Sequence, residues 1–244
     1  MIILITGANR GLGLSLTREA LGRGHMALAA CRVLSQDLRA LTLSYPDKLR
    51  ILHMDICDDA AVQAAADEAR QITGSVDVII NNAAVLLESK YFSGDPVTDL
   101  PLADVERTLQ ANVMGAIRVT HHFAPLLYQS NSPWLLNITS EGAVLKPGGS
   151  HYMAYAISKA ALNMYTQKVR NYYLEQKPGW PIRVYMIHPG RMDTLMGVEN
   201  AQISPDLPAR GILDLLEDRP VIPAMDIPFI DYLGRPMPIT YIGG

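Results

Sequence analysis

Tyr155 and Lys159 stand four residues apart in Tyr155-Ala156-Ile157-Ser158-Lys159, a spacing that sets both side chains on one face of a helix. A phenol titrates near 10. Proton exchange at neutral pH asks for a downward shift costing about 4 kcal/mol, which an ammonium in a dry site can supply. The pair predicts a tyrosine tuned for acid–base work. Tyr152 and Tyr165 are competing phenols, but Ala156 and Val169 occupy the positions one turn further on.

A second chemical signal lies at the start of the chain, in Thr6-Gly7-Ala8-Asn9-Arg10-Gly11-Leu12-Gly13. Glycines at a strand-to-helix turn permit positive φ and let the backbone approach a pyrophosphate, whose charge is stabilised by the free N–H groups of the helix that follows. The spacing Gly-x3-Gly-x-Gly differs from the commoner Gly-x-Gly-x-x-Gly, but the position in the first strand–helix unit predicts a dinucleotide site. In that binding mode a carboxylate closing the second strand holds the adenosine ribose 2′-OH. Here the second strand closes on Ala29-Ala30-Cys31-Arg32, with no carboxylate before Asp37. Arg32, seconded by Arg10, suits a 2′-phosphate, so NADP(H) is expected over NAD(H).

Positioning these groups requires a sheet. Short apolar runs alternate with segments of helical period, which predicts repeated strand–helix units. Strands are expected at Ile2–Thr6, Met26–Cys31, Leu49–Met54, Val76–Asn81, Trp134–Thr139 and Arg183–His188. Helices are expected at Leu12–Gly22, Ser35–Ser44, Asp58–Thr73, Leu102–Gln129, Tyr152–Lys177 and Pro205–Leu216. Nearly continuous apolar strands such as Ile2-Ile3-Leu4-Ile5 fit a sheet covered on both faces. The expected fold is therefore a single-domain, Rossmann-like, doubly wound α/β sheet over residues 1–244, with functional residues just after each strand. The proline-dense end predicts an irregular cap, with a substrate lid over 195–227 and a final edge strand at Phe229–Ile230.

Composition narrows the classes of function. With 49% hydrophobic and 18% charged residues, the chain has ample material for a core. A near balance of 21 basic and 24 acidic residues argues against nucleic acid as partner. Two cysteines, Cys31 and Cys57, exclude a disulfide framework and suit a reducing compartment. No basic region precedes the first apolar run and no stretch approaches a membrane span, so the expectation is a cytoplasmic protein, neither exported nor inserted. His121 and His122 are adjacent and lack ligand spacing, so no metal site is expected.

The ordered set Thr6-Gly7-x3-Gly11-x-Gly13, Asn81-Asn82-Ala83-Ala84, Asn112, Ser140, Tyr155-x3-Lys159 and Pro189-Gly190-x3-Thr194 resembles the classical short-chain dehydrogenase/reductase family over most of the chain. Within that family the chain is most similar to small carbonyl reductases of the sniffer and C-factor type, through Cys31-Arg32 and the closing Asp231-Tyr232-Leu233-Gly234-Arg235-Pro236. The resemblance implies that Tyr155 donates the proton as a carbonyl is reduced. It implies that Lys159 lowers the phenol pKa and bonds the nicotinamide ribose, that Ser140 polarises the carbonyl, and that Asn112 holds a water linking Lys159 to solvent. It also assigns Asp55 and Ile56 to the adenine, Asn82 and Ala83 to the adenosine ribose region, and Pro189, Gly190 and Thr194 to the nicotinamide.

Two positions depart from the family pattern. Ala84 replaces a glycine, and Glu141 directly follows Ser140, with its carboxylate expected to turn into solvent. Met192 and Met196 lie where the family places a mobile lid, and His151 is expected at the surface beside the pocket. The function expected is NADP(H)-dependent interconversion of a carbonyl and an alcohol. The alternatives are a cofactor-binding regulatory protein without turnover and an NAD-dependent alcohol dehydrogenase. A small-molecule substrate is the expected partner. The long helices Leu102–Gln129 and Tyr152–Lys177 offer apolar positions to a homo-oligomer or to the domain core.

Overall fold

The computed structural model describes residues 1–88, 94–146, 149–193, 203–219 and 221–240. Strands β1 (Ile2–Thr6), β2 (Met26–Cys31), β3 (Leu49–His53), β4 (Val78–Asn81), β5 (Trp134–Ile138), β6 (Arg183–His188) and β7 (Phe229–Asp231) form one sheet of order β3-β2-β1-β4-β5-β6-β7. Every strand pairing in it is parallel. The order reverses between β1 and β4, the switch point at which the strand ends of such a sheet leave a crevice. This is the doubly wound α/β fold, with the expected edge strand in place as β7.

Side chains alternate across the sheet, so Ile3 and Ile5 of β1 face one layer and Leu4 the other. Helices α1 (Gly11–Gly22) and α7 (Asp206–Leu216) cover the first face, with α2 (Gln36–Ser44) at its margin. Helices α3 (Asp59–Ile72), α5 (Ala116–Leu127) and α6 (Met153–Gln176) cover the second. Ser35 opens α2 by accepting from Leu38 N, and Asp58 opens α3 by accepting from Ala60 N and Ala61 N.

Two expectations are corrected. The helix predicted over Leu102–Gln129 is two helices, α4 (Leu102–Leu109) and α5, joined by a π turn at Gln110–Gly115. Gly115 closes that turn where Ile56 packs in: a Cβ there would lie 2.7 Å from Ile56 Cδ1. Strand β4 begins at Val78, two residues later than expected, and just before it Asp77 Oδ2 accepts from Ile2 N at 2.7 Å. Residues Asp206–Leu216 form α7, the helix expected at Pro205–Leu216, with Ala209, Ile212 and Leu213 fully buried inside the span 195–227 expected to hold a lid. That helix is core. Residues 194–202 and 220, which include Thr194 and Met196, lie outside the described residues.

Candidate active site

A cleft of about 620 Å³ opens at the carboxyl ends of the strands, running from the glycine turn across β4 and β5 to Tyr155 and Lys159. Gly7 and Gly11 take φ of +67° and +51°, the left-handed region that glycine enters without steric cost. Gly13 lies behind the wall, where a Cβ would come 2.1 Å from Gly7 O, so α1 can back directly onto the turn. No side chain caps α1 and no acidic residue stands in its first turn. Its first N–H groups have no intrahelical acceptor, and Asn9, Arg10, Gly11 and Leu12 line the cleft. Such a donor set suits an anion.

Thr6, not singled out from the sequence, fastens this turn to the next strand end. Its Oγ1 accepts from Asn82 N at 2.9 Å and Ala83 N at 3.0 Å, while Asn82 Nδ2 donates to Thr6 O at 2.8 Å. The Asn82 side chain is thus part of the scaffold, and Ala83 lines the cleft beside it. At the far end Arg32 Nη1 lies 3.6 Å from Asp55 Oδ2, with Ile56 next in the wall. Asp55 Oδ1 also accepts from Cys57 N at 2.9 Å. The guanidinium is two-thirds exposed and free to take a second anionic partner.

Tyr155 and Lys159 both reach the cleft from the first turns of α6. The expected electrostatics are corrected here. Part of the Tyr155 ring faces the cleft, yet burial around its hydroxyl pushes the phenol up to about 12, with only the neighbouring Ser140 pulling it down. Burial likewise pulls Lys159 down to about 8. The ammonium donates to Ile138 O at 2.8 Å and sits 5.6 Å from the centroid of the Tyr155 ring. Desolvation disfavours the charged form of both groups, and it is the largest cause of each shift.

Ser140 lies two residues past β5, beside Tyr155, and its Oγ accepts from Gly142 N at 3.0 Å. Asn112 is buried in the π turn behind the wall. Its Oδ1 accepts from Val85 N at 2.8 Å, and its Nδ2 donates to Val85 O at 2.9 Å and to Ser158 Oγ at 3.0 Å. Glu141 does not turn free into solvent as expected, because it accepts from Arg191 Nε at 2.6 Å. That bond holds its carboxyl below the usual range. The pair ties the end of β5 to the turn Pro189–Gly190, whose glycine takes φ of +83°. His151 is exposed. Among the described residues no three His, Cys, Asp or Glu side chains converge on a metal position.

The model of the short-chain dehydrogenase family matches residues 1–203. The chain belongs to that family. It is 31% identical over 199 residues to a benzil reductase ((S)-benzoin forming) of Saccharomyces cerevisiae, covering 80% of this chain and 73% of the yeast protein. The NADPH-bound carbonyl reductase from chicken fatty liver shares the fold with a TM-score of 0.82 at 24% identity, over 97% of this chain and 98% of that one. The carbonyl reductase Sniffer of Drosophila melanogaster does so at 0.80 and 23%, over 97% and 98%.

Proposed function

We propose that this short-chain dehydrogenase is an NADP(H)-dependent oxidoreductase interconverting a carbonyl and an alcohol, with Tyr155 as acid or base. One observation carries the proposal: the phenol of Tyr155 and the ammonium of Lys159 share a single cleft with an uncapped, glycine-lined helix N-terminus. A bound nicotinamide dinucleotide would supply or take up the hydride. The N–H groups of Gly11, Leu12 and Gly13 with Arg10 would hold its pyrophosphate, and Arg32 its 2′-phosphate. Asp55 and Ile56 would take the adenine end, and Pro189, Gly190 and Thr194 the nicotinamide end.

With its pKa near 12, Tyr155 keeps its proton at Oη throughout the neutral range. That is the protonated form from which a carbonyl oxygen can take its proton. Ser140 Oγ, beside that phenol, orients the substrate oxygen as a preplaced donor. Lys159 fixes its ammonium on Ile138 O, at the cleft floor. Kinship with a benzil reductase supports carbonyl reduction as the direction to test first.

The test is turnover on a panel of ketones, aldehydes and quinones with NADPH and NADH in parallel. Tyr155→Phe should cut carbonyl reduction by about 100-fold or more while NADPH binding persists. Reduction near the wild-type rate would defeat the Tyr155 mechanism. Equal use of NADH would defeat the assignment of Arg32, and tight NADPH binding without turnover on any carbonyl would favour a regulatory protein.

A further inference from the structure

Helix α6 presents Tyr155 from its first turn, where N–H groups have no intrahelical acceptor and need another. Its own N-cap offers none. Tyr152 stands there with φ of +59°, in the left-handed region, without a side-chain bond, and no acidic residue follows in the first turn. The acceptor comes from Glu88, in the segment after β4. Glu88 Oε1 accepts from Ala154 N and Oε2 from Tyr155 N, each at 2.9 Å. A negative charge is stabilised at a helix N-terminus, and two charge-assisted bonds from one carboxylate fix direction as well as distance.

The segment that carries Glu88 is held in turn. Asn112 pairs with both backbone groups of Val85 and donates to Ser158 Oγ, which donates to Tyr155 O at 2.7 Å. The main chain of Tyr155 is thereby gripped at its N–H by Glu88 and at its carbonyl by Ser158. The first grip comes from a segment 67 residues earlier in the chain, the second from within α6 itself.

We propose that Glu88 is a positioning residue for Tyr155: its carboxylate replaces the missing cap of α6 and sets where the phenol hydroxyl stands over the cleft. This rests on the assignment of Tyr155 as the acid of the reaction. Displacing a reacting group by about 1 Å can cost on the order of 100-fold in rate, whereas the glycine turn lies apart from this contact and keeps its geometry.

The experiment compares Glu88→Ala and Glu88→Gln with the wild type in steady-state kinetics and in amide hydrogen exchange. Glu88→Ala should lower kcat for carbonyl reduction by about tenfold or more while the KM for NADPH stays within about twofold. Glu88→Gln, which keeps one acceptor oxygen, should recover an intermediate kcat. Exchange at the Ala154 and Tyr155 amides should quicken in Glu88→Ala more than along the rest of α6. The proposal is overturned by a kcat in Glu88→Ala within about twofold of wild type, by parallel losses in kcat and NADPH affinity, or by unchanged protection at those two amides. If Glu88→Ala does not fold, Glu88→Gln decides by the same kinetic split and exchange. A wild type that reduces no carbonyl would refute the function proposed above, and amide exchange would still decide whether Glu88 holds the turn.

Discussion

Lys159 is an ammonium 2% exposed whose only described hydrogen bond is to Ile138 O. In the folded chain its pKa stands at about 8 against an ordinary value of 10.5. Between those two values the unfolded chain binds more protons than the folded one, so stability rises as pH climbs from about 8 to about 10.5. Below about 8 the cost is present in full, about 3 kcal/mol. Lys159→Met should therefore be more stable than wild type at pH 7 by about 1 kcal/mol, with a higher melting temperature, while losing carbonyl reduction. A clearly lower melting temperature would show that the buried charge stabilises the fold. The partnership of Tyr155 and Lys159 was legible in their spacing, since a helical turn fixes which residues share a face. The direction of their pKa shifts was not, because it depends on how much protein packs around each head group. Glu88 was illegible for a related reason: nothing near it in the chain marks it as the cap of a helix that begins 65 residues later at Met153.

Elements carry the next set of constraints, and α1 shows them best. Its register against the glycine turn depends on Gly13, where an added methyl would overlap Gly7 O at 2.1 Å and Asn82 Nδ2 at 2.7 Å. Gly22, at the other end of the same helix, is exposed and has nothing within 4 Å. Gly13→Ala should then lose about 2 kcal/mol of stability, as overpacking does, and weaken NADPH binding. Gly22→Ala should gain about 0.5 kcal/mol through its better helix propensity and leave binding alone. Equal effects in the two variants, read from urea unfolding and NADPH titration, would mean that close packing at Gly13 does not set the turn. Strands β1, β2 and β6 were legible to the residue, since apolar runs that stop at glycine, arginine or proline leave little choice of boundary. The π turn at Gln110–Gly115 was not, because it answers to Ile56 pressing on Gly115 and to Asn112 reaching Val85. Both are contacts between segments far apart in sequence.

At the scale of the whole molecule, the chain's last helix closes on its first. Arg23, at the end of α1, donates to Glu19 Oε1 at 2.8 Å, to Asp214 Oδ1 at 2.8 Å and to Glu217 Oε2 at 2.9 Å. His25 lies 3.0 Å from Glu217 Oε1 and 3.4 Å from the N-terminal amine. The helix at 205–216 was legible in its apolar period; that it would pack into the core against α1 rather than cap the strand ends was not. The charges that fasten the two helices are nearly 200 residues apart, and no local pattern announces them. Burial pushes Glu217 up, but His25 and Arg23 outweigh it and hold its carboxyl below the usual value. For an acid so shifted, the stabilisation is present above about 4.5 and is lost as pH falls through the folded value. Arg23→Met leaves Glu19, Asp214 and Glu217 facing one another without their common cation. It should cost about 2 kcal/mol at pH 7, less than a fully buried pair because these carboxylates are partly solvated. The gap between variant and wild type should shrink at pH 4, where protonation relieves the crowded carboxylates in the variant and weakens the ion pairs in the wild type. Denaturant midpoints at both pH values measure it, and a gap of the same size at each would mean that Arg23 holds α1 to α7 by packing of its stem rather than by charge.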